Sequence, residues 1–540
     1  MAARCVAWAA GGLLLAGPVL AQSSLALLAV EHHGTFHAIG VVATVAGDED
    51  GDGAAALAWR RSGEPSFRAA HPLVRVAPTT FTGSLFFLDP GQSYDVRVTV
   101  SDPDGVTGAP GATATVATRV PLPPFVPLRT IYVDPAGDDG NGGLDPGLPL
   151  ATIQAAADRA LAGDLVSIAA GIYREEVAVP ASGTVLAPIV LRGAPGAVLD
   201  GADAGFAAGA VWTDEGQGVF AAPLGFATGH VVADVGRLFR YGSLVDLRAL
   251  PAGPPGGFFV AGGMLRVKLS DGSSPAAHAM HVARFENGIL IDGQSHVWVE
   301  GLEIRHYGAG DYGKGVYLRQ SSDCVVRGTA IHEVGAAGVW IKGGARNLVE
   351  SNEIWDTSIP GWDWDWTKGS SAENNAVLVT DDAGRGNVIR RNRLAGTFNG
   401  IGPCGGAAPP AGGTTETDVY DNQLADHNDD ALEPEGYCAN LRLWGNRIVD
   451  VHMAFAVAPA APGPTWILRN VAYDFGSTRT SQLDGYLASA LKINSGYPTP
   501  IGPLFLYHNT FLTTAALTSA LALLDPGESA SSLWSASWLS

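Results

Sequence analysis

The chain has 540 residues, of which 46% are hydrophobic, 16% are charged and 70 are glycine, so it can fill a large core and needs many turns. Its 53 acidic residues outnumber its 33 basic residues and give a formal net charge of −20. This charge argues against nucleic acid as a partner, but it is compatible with a calcium ion or with a site where the few basic residues are concentrated.

The first 21 residues have the pattern of a secretory signal peptide. Arg4 precedes an apolar run at 11–15, and residues 19–21 have the small-residue pattern of a cleavage point. The run is too short to cross a bilayer, and no later stretch reaches about 18 apolar residues, so we expect no membrane span. We therefore predict a secreted protein, with the extracellular space, the periplasm and the cell surface all open as its location.

Residues 24–119 alternate short strands with turns, which indicates a small β-sandwich. Residues 88–98 (LDPGQSYDVRV) resemble the fibronectin type III pattern, in which a turn leads into a strand whose tyrosine hydroxyl, here that of Tyr94, bonds back to the corner. The acidic stretch 48–53 is predicted to be a solvated loop. A stiff linker is predicted at 120–128, because each proline fixes φ and lacks a backbone donor.

A second domain is predicted from 129 to 524. It begins with a strand at 131–133. A helix follows that caps the end of a stack of strands, ends at Gly163 and has one apolar face, made by Ile153, Ala156, Ala157, Ala160 and Leu161. The segments that follow resemble, in their order, the N-terminal part of secreted right-handed β-helix enzymes, among them calcium-dependent pectate lyases and related polysaccharide lyases: GD at 163–164, AGIYRE at 170–175, API at 187–189 and LDG at 199–201. This resemblance implies a fold rather than an activity.

From residue 287 onward a repeat can be counted. Asparagines follow short apolar strands at separations of 40, 30, 24, 24 and 39 residues, at Asn352, Asn392, Asn422, Asn446, Asn470 and Asn509. Turn–strand units of this kind bury their apolar residues only by stacking on their neighbours. The repeat therefore predicts an all-β fold, a right-handed parallel β-helix preceded by the sandwich, with the stacked asparagines in a structural role.

A second strand recurs in each coil, and its second and fourth places are apolar, so its third place points outward. The outward column is Tyr317, Trp340, Leu378, Gly402, Glu433, Ala456 and Lys492. It begins with aromatic rings and ends with opposed charges, which suits a groove that binds sugars. The substrate-binding residues predicted here are Tyr317, Trp340, Asn375, Asn399 and His452. A solvated sheet face is the alternative.

The loop at 355–374 contains the sequence WDWDW, which is too aromatic for an ordinary exposed insertion. Two structures are open for it. The rings either wall the groove and stack on sugars, or fold down as a hydrophobic flap.

Asp429, Asp430 and Glu433 crowd one coil, which is costly without a cation or a substrate, and Lys492 stands two coils later, about 10 Å from Glu433. The sequences DDALE and SALKI around them resemble the calcium motif and the base motif of the lysine-dependent pectate lyases. That resemblance implies that the three carboxylates bind Ca²⁺ and that Lys492 takes the proton beside a uronate. Glu433 stands where that family has Asp, Asn399 stands where an Asp is expected one coil earlier, and Lys492 lies one coil later than in the family.

Two other functions stay open. Asn428-Asp429-Asp430 is similar to the Asp pair of the β-helix polygalacturonases, which implies hydrolysis by paired carboxylates, although no Gly-His-Gly or Arg-Ile-Lys segment follows. His452 is the nearest histidine, and a lone histidine at a turn is more often structural. A non-catalytic carbohydrate-binding or surface protein needs only the aromatic face. We expect a monomer that acts on an acidic polysaccharide.

Cys404 and Cys438 are predicted to form a disulfide, because they lie near the ends of strands in adjacent coils and secretion places them in an oxidising compartment. Cys324 is predicted to be a small buried apolar residue. The tail at 525–540 contains no convincing cap or repeat, so we expect it to be truncated.

Overall fold

The computed structural model describes residues 24–250, 255–405, 414–457, 460–476, 489–494, 502–513 and 519–524. The predicted signal peptide and the tail lie outside these residues. The chain divides into two compact units, one made of Met1–His32 and His37–Arg119 and the other made of His33–Phe36 and Val120–Ser540. None of the helices in the described residues is long and apolar enough to cross a lipid bilayer.

The first unit contains two sheets around one apolar core. The strands of the first sheet, in spatial order, are Val74–Ala77, Thr80–Leu85, Ile39–Ala46, Leu25–Gly34 and Val106–Thr107. Those of the second sheet are Arg68–Ala69, Ala54–Arg61, Ser93–Ser101 and Gly111–Ala117. The Tyr94 hydroxyl accepts a hydrogen bond from the Asp89 N–H at 2.9 Å, which closes the predicted corner. The fibronectin type III assignment itself stays a prediction.

The second unit is a parallel β-helix with three sheets, which confirms the predicted fold class. The first sheet contains Arg129–Val133, Asp164–Ile168, Ile189–Gly193, Val297–Glu300, Val325–Arg327, Leu348–Glu350, Val388–Arg390, Asp418–Tyr420, Leu441–Trp444, Thr465–Leu468 and Leu504–Tyr507. The second contains Gly171–Tyr173, Ala197–Asp200, Glu303–Arg305, Ala330–His332, Glu353–Trp355, Arg393–Ala395, Gln423–Ala425, Arg447–Val449, Val471–Tyr473 and Thr510–Leu512.

The third sheet, which we name the groove sheet, contains the predicted outward column. Its strands are Val177–Val179, Asn287–Asp292, Lys314–Arg319, Ala337–Gly344, Asn375–Ala383, Asn399–Cys404, Asp430–Pro434, Met453–Val457, Ser489–Asn494 and Ser519–Leu524. Beside it lies a short parallel sheet of Thr414–Thr415, Gly436–Ala439 and Ala460–Pro462.

The predicted asparagine ladder is confirmed. In each step the side-chain oxygen of one asparagine accepts hydrogen bonds from the backbone and side-chain N–H groups of the asparagine one coil earlier, as between Asn422 and Asn392 at 3.0 and 2.9 Å. The residue before each asparagine adopts a left-handed backbone, for example Asp421 with φ 54°. The ladder continues through Asn352, Asn392, Asn422, Asn446, Asn470 and Asn509.

The capping helix is shorter than predicted. It covers Ile153–Ala157, begins at the N-cap Thr152 and buries Ile153, Ala156 and Ala157. Leu161, predicted on the same face, is 62% exposed, because the helix has already ended. A helix this short still covers the first coil, since the two oxygens of Glu175 accept its first backbone N–H groups at 2.9 Å.

An insertion that the repeat did not reveal occupies residues 201–286. Its strands are Thr213–Asp214, Phe220–Pro223, Val231–Ala233, Gly236–Arg237, Phe239–Arg240, Gly256–Ala261, Met264–Leu269 and Met280–Val282, and they pair antiparallel except for Phe239–Arg240, which is parallel to Gly256–Ala261. Its helices are Ala204–Ala207, Leu244–Ala249 and the 3₁₀ turn Pro275–Ala277. Gly262 and Gly263 form a two-residue hairpin with φ 60° and 71°, which favours an antiparallel pair over another coil.

The predicted disulfide is confirmed. Cys404 and Cys438 are bonded, with their Cα atoms 5.6 Å apart, and they join neighbouring coils beside the groove sheet. Cys324 is free and buried, as predicted.

Candidate functional site

The groove sheet keeps the predicted register except where the strand Asn399–Cys404 meets Asp430–Pro434: there Ile401 pairs with Leu432, but the register shifts before Cys404 pairs with Pro434. Tyr317 pairs with Trp340, Trp340 with Leu378, and Leu378 with Gly402, while Ala456 pairs with Lys492. The neighbouring positions that were predicted to point inward are buried apolar residues: Val316, Leu318, Val339, Ile341, Val377, Val379, Ile401, Leu432, Phe455, Val457, Leu491 and Ile493. Alternation along each strand therefore places one column of side chains on the outer face.

Asp430 is the centre of the acidic coil. It is fully buried at the start of the strand Asp430–Pro434. Its Oδ2 accepts a hydrogen bond from Lys492 Nζ at 2.9 Å, whereas its Oδ1 has no hydrogen-bond partner among the described residues. Lys492 thus reaches across the one intervening strand, Met453–Val457, and of the three carboxylates that it was predicted to face it pairs with Asp430.

A second lysine, which sequence reasoning missed, completes the pairing. Lys368 Nζ lies 3.4 Å from Asp429 Oδ2 and 2.9 Å from Glu373 Oε1. The same ammonium is 5.5 Å from the centre of the Phe398 ring, where a cation is favourable. The available signal was a lysine two residues after the WDWDW motif, in a chain with few basic residues.

Glu433 is held by Asn399, one coil earlier. Asn399 Nδ2 donates to Glu433 Oε2 at 2.9 Å, and its Oδ1 accepts from the Asp430 N–H at 3.2 Å. Asn375 pairs with Asn399 in register, and its buried Oδ1 has no hydrogen-bond partner in the described part of the chain. Two of the predicted substrate-binding residues, Asn375 and Asn399, therefore lie in register on the two strands before the acidic coil, and Asn399 already binds one of its carboxyl groups.

The carboxyl groups of this coil have shifted pKa values. Burial, and then the neighbouring Asp429, raise the pKa of Asp430 to about 7, while Lys492 and Lys368 oppose the shift. Burial and the nearby Asp430 raise the pKa of Glu433 well above its ordinary value. Burial disfavours the charged form of Lys492, but the attraction of Asp430 and Asp429 outweighs it, so the pKa of Lys492 is raised. The coil can therefore hold protonated and ionised carboxyl groups together near neutral pH.

The arrangement suits calcium poorly. The described clusters of three or more His, Cys, Asp or Glu whose ligand atoms lie within 4.8 Å of one another are Asp200 with His281 and His306, and Asp48 with Asp52 and Asp102. At the acidic coil, Asp429 and Asp430 each pair with a lysine ammonium, so a bound divalent cation would lie close to two like charges. Calcium binding by Asp429, Asp430 and Glu433 stays a prediction, and no chemical step is derived from it.

The aromatic end of the groove sheet lies three strand spacings, about 14 Å, from the acidic coil. The Tyr317 and Trp340 rings are 5.9 Å apart, and Tyr312, which is 62% exposed, lies 6.1 Å from Trp340. Lys314 Nζ lies 4.8 Å from the Tyr317 ring centre and 5.3 Å from that of Trp340. The rings form a platform with a cation beside them, which is a suitable surface for a sugar.

The aromatic loop at 355–374 packs against the β-helix with Trp362 buried and Trp364 partly exposed. Trp362 is 4% exposed and packs in one cluster with Ile359 and Phe398. Trp364 is partly exposed, and its ring lies 6.4 Å from that of His452, which is itself 1% exposed. Trp362 therefore folds down as part of a hydrophobic flap, which was one of the two predicted structures of this loop. His452 lies beneath Trp364. Substrate contact by His452 stays a prediction.

Comparison with known proteins finds no match among the curated proteins. Similar solved structures include a complex of XylC with xylose (13% identity, TM-score 0.48), which covers 67% of this chain and 68% of that one. They also include a GH136 lacto-N-biosidase from Eubacterium ramulus (13%, TM-score 0.30, 73% and 68%) and a family 28 exopolygalacturonase from Yersinia enterocolitica (12%, TM-score 0.29, 92% and 98%). A protein-family model described as "right handed beta helix region" matches residues 279–451, which agrees with the stack of parallel strands described above.

Proposed function

We propose that this protein is a glycoside hydrolase that cleaves a polysaccharide bound along the groove sheet. The observation that carries the proposal is the environment of Asp430. One carboxyl oxygen is fixed by Lys492, the other is buried without a hydrogen-bond partner among the described residues, and the pKa is raised to about 7. A base with such a pKa suits proton transfer at neutral pH.

The neighbouring Glu433 supplies the complementary group. Burial and the nearby Asp430 raise its pKa, which favours the protonated form that a general acid needs. In the proposed reaction Glu433 gives its proton to the glycosidic oxygen, and the bond from that oxygen to the anomeric carbon breaks. A water molecule bonds to the anomeric carbon and loses its proton to the carboxylate of Asp430. Asn399 orients Glu433, while Lys492 orients Asp430.

A lyase that uses Lys492 as its base is the second candidate, supported by the approach of Lys492 to the acidic coil. A lysine must be neutral to accept a proton, and its ion pair with Asp430 raises its pKa instead. We therefore propose hydrolysis first. A protein that binds sugars on the aromatic platform without catalysis is the third candidate. Secretion, a monomeric state and an acidic substrate stay predictions.

One assay separates these functions. The protein is incubated with neutral and uronate polysaccharides, each with added calcium or with a chelator. Hydrolysis gives new reducing ends that do not depend on calcium, without the absorbance of an unsaturated uronate. A calcium-dependent rise in that absorbance would overturn the proposal in favour of the lyase. Binding to a polysaccharide without any product would favour the non-catalytic function.

We predict that Lys492→Met moves the acidic limb of the pH–rate profile to higher pH. Wild-type turnover should rise as pH increases through about 7, because Asp430 must be ionised to act as the base. Lys492 lowers the pKa of Asp430, so removing its charge raises that pKa. Lys492→Arg, which keeps the charge, is the control and should stay near the wild-type profile. Complete loss of turnover at every pH in Lys492→Met would instead identify Lys492 as the base.

A further inference from the structure

We propose that Arg237, in the insertion 201–286, is a positioning residue that closes the loop at 356–374 and thereby holds Lys368 on Asp429. We name this segment the lysine loop. The inference rests on the proposed function, since it gives the insertion a role in the chemistry of the acidic coil. Lys368 is the only residue through which Arg237 is proposed to act.

The Arg237 side chain joins both ends of the lysine loop. One guanidinium nitrogen lies 3.1 Å from Asp356 Oδ2, and the other donates to the carbonyls of Gly335 at 3.0 Å and Ser371 at 3.2 Å. The side chains of Arg237 and Asp356 are only 3% and 1% exposed. A buried ion pair with several hydrogen bonds of fixed direction holds its partners in one arrangement.

Asp356, the partner of Arg237, is itself hydrogen-bonded to both ends of the lysine loop. Its Oδ1 accepts from the backbone N–H groups of Ser358 at 2.9 Å and Ile359 at 3.3 Å, which fixes the first turn. Its Oδ2 accepts from Asn374 Nδ2 at 3.3 Å, which fixes the last residue of the loop. The backbone N–H of Arg237 also donates to Ser358 Oγ at 2.7 Å. One arginine therefore fixes the beginning and the end of the lysine loop.

The middle of the loop is held from two sides. Phe239, two residues after Arg237, packs its ring 5.8 Å from both Trp362 and Trp366. On the other side, Asn428 Nδ2 donates to the Trp362 carbonyl at 3.1 Å. Phe239 of the insertion and Asn428 of the acidic coil thus contact the loop from opposite sides, and Lys368 follows two residues after Trp366, the last of the contacted residues.

The chemistry requires arginine at position 237. Four acceptors surround the guanidinium, namely the Asp356 carboxylate and the carbonyls of Val334, Gly335 and Ser371. A planar group with five donors can meet them together, whereas a lysine ammonium or an apolar side chain cannot. Without the guanidinium, Asp356 becomes a buried carboxylate with no cation, and the loop opens locally to hydrate it. Lys368 then leaves Asp429, and one of the two positive charges that lower the pKa of Asp430 is lost, while Lys492 remains.

The first test measures the loop itself. Trypsin digestion of the native protein, followed by mass spectrometry, gives the rate of cleavage after Lys368. Arg237→Met should accelerate this cleavage by about tenfold or more, since local opening controls access to the bond. Arg240→Lys is the matched control, because Arg240 lies in the same insertion, is exposed and pairs with Asp311 outside the loop. An unchanged cleavage rate in Arg237→Met overturns the proposal.

The second test measures the effect on the site. Arg237→Met and Lys368→Met should each move the acidic limb of the pH–rate profile to higher pH, and the double variant should move it no further than Lys368→Met alone. Additive shifts would show that Arg237 acts by another route and would overturn the proposal. If cleavage rises in Arg237→Met while the chain has no hydrolase activity, the positioning role stands and the proposed function fails.

A third variant covers a failure of Arg237→Met to fold, which would appear as cleavage throughout the chain. Phe239→Ala removes the aromatic contact with Trp362 and Trp366 but keeps the buried ion pair. It should also accelerate cleavage after Lys368, by less than Arg237→Met. If trypsin cleaves after Lys368 in Phe239→Ala at the wild-type rate, the packing of the insertion on the loop does not hold the loop closed.

Discussion

Asp430→Asn is expected to lower kcat by about 10²–10⁴-fold, the usual effect of losing a general base. The amide keeps the shape of the side chain and can remain beside Lys492, but it cannot accept a proton from water. KM should change little, because the groove keeps its form. The measurement is the rate of new reducing ends on the polysaccharide that the wild-type protein cleaves best.

The control for this variant is Asp426→Asn, an exposed carboxylate on the same coil, which should leave kcat unchanged. Retention of more than about a tenth of the activity in Asp430→Asn would be too small a loss for a general base and would contradict the assignment. It would move the base to another carboxylate of the acidic coil.

The same substitution should change how stability depends on pH. The pKa of Asp430 is about 7 in the folded chain against an ordinary value of 3.8, so the folded state binds this proton more tightly than the unfolded state. The stabilising contribution of Asp430 is therefore complete below pH 3.8 and is lost as pH rises to about 7. Urea unfolding at several pH values should show this slope in the wild-type chain and a smaller one in Asp430→Asn.

Arg442→Met is expected to lower the free energy of unfolding by about 3–5 kcal/mol, the effect of breaking a buried ion pair from one side. Arg442 is fully buried, and its guanidinium donates to Asp418 Oδ1 at 2.5 Å and to Glu416 Oε2 at 2.7 Å. Asp418 begins the coil that carries the acidic residues, and Arg442 lies in the next coil. The substitution leaves two buried carboxylates less well compensated and weakens the stack at the site.

The comparison variant is Arg447→Met, in the same coil as Arg442. Arg447 is exposed and donates to the Tyr473 hydroxyl at 2.6 Å, so its loss should change stability by no more than about 0.5 kcal/mol. Equal unfolding midpoints for the two variants in urea would contradict a structural role for the buried pair.

The repeat is the part of this protein that the sequence determined by itself. Asn422 and Asn446 stand 24 residues apart and bond directly in the structure, because one coil returns the chain to the same place in the stack. Alternation within each strand was equally informative, since Leu432 is buried as its place in the strand requires. Both patterns depend on residues that are neighbours either along the chain or one coil away.

Only the tertiary structure decided how the site is assembled. Lys368 meets Asp429 across 61 residues, by way of a loop whose length follows no repeat. Lys492 was predicted to face the three carboxylates across Ala456, but only the structure shows that its ammonium pairs with Asp430, the fully buried one, where the attraction between the charges is strong. Arg237 comes from the insertion 201–286, which the repeat did not predict, and it meets Asp356 across 119 residues. Periodicity places backbones, whereas the pairing of charges depends on side-chain reach, burial and loops that have no period.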